Sequence, residues 1–346
     1  MSIGTNRLKQ QGVTLIEIMI ALLIGAFVLG GVLQIFTTTR QTYRMQDNLS
    51  RLQENARLAI EFLSFDTRMS GFLGCPNLAS ITPTILAQPQ NPNTLTSLPT
   101  LPLTLGVLVS GTDNVAANWN TNACSAANAC TANTDVITLQ YGGGCGANLV
   151  GNLASDNANI QISDNNTCGL QQYDVLLISD CTTADIFIAT NVSNGTGTQT
   201  IAHANNQNTQ PKLSKAYPSD AEVFVLRTFS YFIRTGSSGR PALWRLDNAK
   251  PVSTTNPIEV VEGVENMQVT YGADTDTDGV ANYYVAAGTA GLNLTTVSSV
   301  RISLLMATLE DRLSVNPVSY FYNGATSTPG DNRIRRVFTS TIELRN

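Results

Sequence analysis

One stretch constrains this chain more than any other. It opens Gly12-Val13-Thr14-Leu15-Ile16-Glu17, and the apolar run it begins continues to about Phe36. A helix crosses a bilayer with about 20 apolar residues, and this run is long enough. Its one formal charge is Glu17, near the start. A charge inside a membrane helix costs about 2.5–3.5 kcal/mol on insertion scales. A carboxylate so placed points to a partner. The plainer alternative is a signal anchor with an acid tolerated near the headgroups.

The residues before the run bear on that choice. Met1 to Gln11 are polar, with Arg7 and Lys9 and no acid. A secretory signal places its small-residue cleavage site after the apolar core. Here the small residue, Gly12, stands before it. Removing residues 1–12 would leave the apolar helix on the protein, with a new cationic amine on Val13 one helical turn from Glu17.

Gly12, Glu17 and the uninterrupted "VTLIEIMIALLIGAFVLGGVLQIF" resemble the type IV pilin superfamily. The resemblance implies a prepilin peptidase that cuts after Gly12 and methylates the Val13 amine. It also implies that Glu17 meets the amine of a neighbouring subunit in a filament core. Pairing relieves two charges that an apolar bundle tolerates poorly, so the pair sets register more than it adds stability. Pilins usually begin with Phe after the cut; Val13 departs from this, which fits a minor rather than a major subunit.

Beyond Phe36 the pattern changes without stopping. Met45, Leu49, Leu52, Ala56, Ala59 and Leu63 fall at alternating steps of four and three, a helical stripe. Leu58, Phe62, Phe65 and Met69 form a second row, and Arg44, Asp47, Arg51, Glu54 and Glu61 occupy the other face. One helix is expected from about Val13 to Met69, roughly 85 Å long at about 1.5 Å per residue. Gly25, Gly30 and Gly31 within it fit close helix–helix approach or a flexible point. Ser70-Gly71 should end it.

The rest reads as strands and long loops. Strands are expected at Asp135–Tyr141, Tyr173–Ser179, Asp185–Val192, Glu222–Arg234, Gly239–Asp247, Ile258–Gly272, Val297–Thr308 and Arg335–Asn346. Asn77–Pro102 and Asn191–Ser214 are expected to be irregular, and Gly142-Gly143-Gly144 a turn. The fold class is therefore α+β, a long N-terminal helix packed on an antiparallel β-sheet domain with disulfide-bearing loops. The expected divisions are a leader (1–12), a membrane half of the helix (13–36), an amphipathic half (37–70) and a periplasmic β-rich domain (71–346).

Two further stretches narrow the resemblance. "LQENARLAIEFLSFDTRMSGFLGC", with "VEGVENMQVTYG" and "VSSVRISLLM", is similar to the PilW family of minor type IV pilins. The likeness covers Gly12 to Cys75 and about Glu222 to Asn346; the central cysteine-rich part adds nothing to it. It implies a minor pilin that helps to prime pilus assembly and ends at the pilus tip, in support of motility or adhesion. Implied partners are other minor pilins, the major pilin, the prepilin peptidase and the inner-membrane assembly platform. The rival readings are a J-type minor pseudopilin of type II secretion, a tip adhesin and a membrane-anchored periplasmic enzyme.

The remaining candidates are weaker. Cys75, Cys124, Cys130, Cys145, Cys168 and Cys181 all lie beyond the membrane segment, an even number that fits disulfides in an oxidising compartment. Cys124 and Cys130 flank a short loop and form the favoured local pair; the other pairings, and free thiols, stay open. There is no Cys-x-x-Cys, and the one histidine, His203, is expected to be solvated. Asp274, Asp276 and Asp278 before Gly279 resemble the start of a Ca2+ loop, with Val280 offering a carbonyl and Asn282 an amide oxygen. Val285 stands where the closing Glu belongs; a polar hairpin turn is the alternative. Trp119 and Trp244 read as core or rim. A net charge of −5 without a basic stripe speaks against direct nucleic-acid binding. No hydrolase, zinc-protease or phosphate-loop motif is present.

Overall fold

The computed structural model describes residues 12–72, 74, 83–87, 109–120, 123–124, 128–250 and 255–344. Its secondary structure begins with α1 (Leu15–Met69), followed by β1 (Thr84–Ile85), β2 (Val109–Thr112), β3 (Val136–Asn148), β4 (Ile160–Ser163), β5 (Val175–Ser179), β6 (Ala184–Ile188), β7 (Asn191–Asn194) and β8 (Thr198–Ala202). Then come β9 (Glu222–Thr235), β10 (Pro241–Asp247), β11 (Ile258–Glu262), β12 (Val264–Ala273), β13 (Tyr283–Ala286), β14 (Val297–Ala307), β15 (Tyr320–Tyr322), β16 (Ala325–Ser327) and β17 (Arg335–Glu343). The chain divides into a unit up to Arg51 and a second from Leu52.

The first unit is helix. From Val13 to Phe36 its large apolar side chains are 51% to 76% exposed, and no part of its most apolar window is buried. Water would not support that surface; a bilayer or other apolar helices would.

In the second unit the helical stripe has its expected use. Leu52, Ala56, Ala59 and Leu63 are at most 2% exposed. They pack on Ile137, Tyr231 and Leu243 from one sheet and on Met267, Tyr271, Val300 and Ile302 from another. Most of the second row stays outside: Leu58, Phe62 and Phe65 are 40%, 39% and 61% exposed, while Met69 packs half-buried against the core. The helix ends at Gly71, whose φ of 88° only glycine adopts without strain, and the Gly71 N–H donates to Gln140 O on β3 at 2.8 Å.

The larger sheet has eight strands in the path β1-β6-β5-β9-β10-β11, with β3 also pairing β9 and β2 pairing β3. All its pairings are antiparallel except β1 with β6. The second sheet runs β13-β12-β14-β17, and small sheets form from β4-β8-β7 and β15-β16. The α+β architecture is thus the expected one.

Strand β9 is the hub. Side chains alternate across a strand, yet β9 is buried on both faces. Val223 and Val225 enter one core cluster, Phe229, Tyr231 and Ile233 the helix-facing one, Phe224 and Leu226 a third and Phe232 a fourth. Strands β3 and β9 pair over most of their lengths, from Ile137 opposite Tyr231 to Asn148 opposite Glu222. Residues 149–221 therefore form a module inserted into one long hairpin. The core around Ile160, Ile162, Ile201 and Tyr217 is shared with Ala147 of β3 and Val223 and Val225 of β9.

Several expectations need correction. Gly142–Gly144 is not a turn but the middle of β3; pairing with β9 supplies its ladder, and the register shifts between Gly143 and Ala147. The 191–214 segment is not one loop: β7 and β8 form a hairpin within it, polar except where Ile201 turns inward. The Ile258–Gly272 strand breaks at Gly263, which has φ 82°. Asp185–Val192 likewise divides between β6 and β7. Thr84–Ile85 forms a short strand where irregular chain was expected; most of Asn77–Pro102 lies outside the described residues.

Candidate functional site

The N-terminal candidate begins with local hydrogen bonds. Thr14 caps α1, and Glu17 is the third helical residue. The Thr14 N–H donates to Glu17 Oε2 at 2.9 Å and the Thr14 hydroxyl to the same oxygen at 2.8 Å. In return the Glu17 N–H reaches Thr14 Oγ1 at 3.4 Å. This is a capping box, which satisfies otherwise orphaned donors at a helix start. The Glu17 carboxylate is therefore not without partners in the single chain. The signal was present as Thr-x-x-Glu but is masked by the apolar run around it.

Gly12 stands two residues before the cap. A Cβ built on it would meet nothing within 4 Å, and its φ is outside the left-handed region. Among the described residues, neither packing nor backbone geometry calls for glycine here. Gly25, Gly30 and Gly31 are equally open and, at about 100° per residue, lie on different faces of the helix.

Farther along α1, sequence reading missed Asp66. Its side chain is buried and receives the Tyr141 hydroxyl at 2.9 Å and the Tyr231 hydroxyl at 2.5 Å. Arg245 Nη1 lies 3.7 Å away. Burial, reinforced by the Asp66 charge, pushes both phenols far up, so they remain donors. The available signal was one acid among the apolar rows at Phe62, Leu63, Phe65 and Met69.

The Asp274–Asn282 loop brings Asp274, Asp276 and Asp278 within 4.8 Å of one another. Their oxygens are engaged by the loop itself. Asp274 accepts from the Thr277 and Gly279 N–H groups at 2.6 and 2.8 Å, and Asp278 from Val280 N–H at 2.8 Å. Burial works against the Asp274 charge, but these donors outweigh it and hold the carboxyl low. Asn282 turns its oxygen to Thr275 at 2.7 Å and its amide nitrogen toward Asp276. That rotamer presents a donor, not a ligand, to the cluster. What the geometry supports best is a hydrogen-bonded turn.

Two disulfides are described. Cys124 joins Cys130 with Cα atoms 5.1 Å apart, and Cys145 joins Cys168 at 4.9 Å. The second ties β3 to the inserted module. Cys181 is also disulfide-bonded, and Cys75 lies outside the described residues. Beside the Cys124–Cys130 loop, Arg234 donates to Ala123 O at 2.7 Å and lies 3.8 Å over the Trp244 ring. Trp119 and Trp244 pack at the margin of that core. His203 is not solvated: it is 4% exposed, its Nε2 lies 2.9 Å from Ala158 O, and its ring meets Phe187 edge-on.

Comparison with known proteins points the same way as the helix. The model of the prokaryotic N-terminal methylation motif matches residues 7–33, and that of type IV pilus-assembly protein W (PilW) matches residues 230–346. No curated protein matches. Among solved structures, the type IV-like pilin TTHA1219 from Thermus thermophilus is similar over 34% of this chain and 66% of that one, at 17% identity and a TM-score of 0.18. The chain thus carries a prokaryotic N-terminal methylation motif at the head of its long apolar helix and a PilW domain over its C-terminal third.

Proposed function

We propose that this chain is made as a prepilin, cut between Gly12 and Val13, methylated on Val13, and used with other minor pilins to prime type IV pilus assembly. Residues 1–12 are the leader and residues 13–36 the membrane anchor. Residues 37–70 are the amphipathic half of the helix, and residues 71–346 the periplasmic domain. In the pilus the chain sits at or near the tip. It works alongside the peptidase, the assembly platform and the major pilin.

The observation that carries this reading is at Gly12. Among the described residues nothing approaches Gly12, which leaves the backbone there open to a processing enzyme. The capping box adds a physical route. Before cleavage Glu17 is satisfied by Thr14 and enters the membrane partly neutralised by its own helix end. After cleavage an amine appears at Val13, and a neighbour's amine can compete for the same carboxylate. Pairing across chains then fixes subunit register.

The test is Gly12→Val beside Glu17→Ala in cells lacking the native chain. The first should leave an unprocessed anchor, and the second a processed chain that fails to support piliation. Normal pilus numbers with both variants would end the proposal. A second reading, a tip-located binding module, draws on the insertion of residues 149–221 between β3 and β9. It predicts surface binding by pili that is lost when this module is altered while pilus number is kept.

A further inference from the structure

Strand β17 is the outer strand of the second sheet and pairs with β14 alone. Two bonds beyond its ends fix which way its backbone points. The Leu344 N–H donates to Ser298 O at 2.9 Å, and the Thr308 N–H to Ile334 O at 3.0 Å. In an antiparallel ladder such bonded pairs recur at every second residue. Arg336, Phe338, Ser340 and Ile342 therefore bond to β14, opposite Met306, Leu304, Ile302 and Val300. The N–H and C=O groups of Val337, Thr339 and Thr341 turn to the open edge, where no described residue pairs with them.

This edge is long and unprotected. Strand β17 has nine residues, against two, four, five and four in β1, β2, β11 and β13, the other outer strands of the two large sheets. It contains no proline, and its register with β14 runs without a bulge. Its charges stand only at the ends, Arg335 and Arg336 at one and Glu343 at the other. Short strands, bulges, prolines and central charges are what usually keep an edge from pairing, and β17 has none of them. A cleft of about 900 Å³ opens beside it, lined by Phe65, Arg68 and Met69 of α1 and by Thr341, Glu343 and Leu344. A strand laid about 4.8 Å outside β17 would enter that cleft, with alternate side chains turned toward α1.

We propose that the β17 edge receives an extended segment of a different polypeptide, added antiparallel as a fifth strand of this four-stranded sheet. The matching segment alternates apolar with small or β-branched residues, the apolar ones toward Phe65 and Met69. It carries a cation at its N-terminal end, opposite Glu343, and an acid at its C-terminal end, opposite Arg336. A second copy of β17 has matching charges but the wrong direction. Antiparallel self-pairing relates two copies by a two-fold axis through the sheet. Helix α1 packs on the inner face of that sheet, so the axis would reverse one helix against the other. One bilayer cannot hold both anchors in that arrangement. The exclusion of a second copy rests on the membrane-anchored reading, whereas the open edge does not depend on it.

The test uses the full-length chain in detergent and a synthetic peptide that alternates valine with threonine between an N-terminal lysine and a C-terminal glutamate. Hydrogen exchange is read residue by residue. On adding the peptide, the Val337, Thr339 and Thr341 amides should slow by about tenfold or more, while those of Phe338, Ser340 and Ile342 are slow throughout. The same peptide N-methylated on alternate amides should protect none of them. Thr339→Pro should abolish binding yet leave the unfolding midpoint near its original value, because that N–H lies outside the β14 ladder. Phe65→Ser, on an exposed position of α1, should weaken binding with the fold intact. No slowing of the three edge amides, equal slowing by the N-methylated peptide, or dimers of the chain itself that Thr339→Pro dissociates would overturn the proposal. None of these results bears on cleavage at Gly12, which the mass of the same preparation reads separately.

Discussion

The Tyr231 hydroxyl donates to the Asp66 carboxylate across 2.5 Å, tying α1 to the hub strand β9. The same carboxylate holds Tyr141 on β3, with Arg245 of β10 close by. Removing the acid leaves two buried phenols and a cation without their partner. Asp66→Ala should destabilise the second unit by about 3–5 kcal/mol, the usual cost of leaving a buried charge uncompensated. Tyr231→Phe should cost only about 1–2 kcal/mol. Denaturant unfolding of the detergent-solubilised chain checks both.

Gly111 on β2 is a close-approach glycine. A Cβ there would stand 2.0 Å from the Tyr271 hydroxyl oxygen and 2.6 Å from Val136 O. Tyr271 is fully buried and belongs to the helix-facing core, so it has little room to move. Gly111→Ala should therefore cost about 1–3 kcal/mol, as overpacking does, and thermal unfolding measures it. Gly146→Ala, where a Cβ has open space but φ is 73°, isolates the backbone cost alone.

What could be read in advance followed a local rule. The four-and-three spacing of Leu52, Ala56, Ala59 and Leu63 marks a buried stripe in any helix. Thr14 and Glu17 also obey a local rule, but a charge beginning an apolar run invites a membrane argument before a capping one. The failures are non-local. His203 is buried only because Ala158, in the bend before β4, and Phe187 of β6 close over it. Gly142–Gly144 looks like a turn until β9 is known to lie beside it, and the module of residues 149–221 separates the two strands in sequence. Residues of β9 point into four cores, so its alternation does not distinguish an outer face.

Acid titration should show two opposing trends. Burial pushes the Asp135 carboxyl up to about 6, against the Asn114 and Val269 N–H donors, with Asp113 adding to the rise. Its folded pKa exceeds an unfolded value of about 3.9. Its contribution is therefore fully present below about pH 4 and is lost as pH rises through about 6. Asp180 behaves oppositely: burial opposes its charge, but Lys215 and the Thr182 and Thr183 donors bring it down to about 2. Arg335 brings Asp331 down to about 2 against its own burial. Their contributions are present above about pH 4 and are lost as pH falls through about 2. Asp135→Asn should flatten the fall in unfolding midpoint between about pH 4 and 6 and leave the acid limb unchanged.

Arg335 offers a sharper electrostatic test. Its guanidinium reaches Glu265 at 2.6 and 2.8 Å and Asp331 at 2.7 and 3.0 Å, joining the start of β17 to β12 across β14. The side chain is 7% exposed, so solvent screens it little. Arg335→Met should cost about 3–5 kcal/mol. Arg335→Lys, which keeps the charge but not the fork, should cost about half as much. Urea midpoints at neutral pH distinguish the two.

The central claim is that this helix is delivered by cleavage at Gly12 and used with a free, methylated amine near Glu17. Intact-mass and N-terminal peptide mass spectrometry of the membrane form tests it most directly. The account predicts a chain beginning at N-methylated Val13. A membrane form that still begins at Met1, or an unmodified chain cut at another residue, would contradict it.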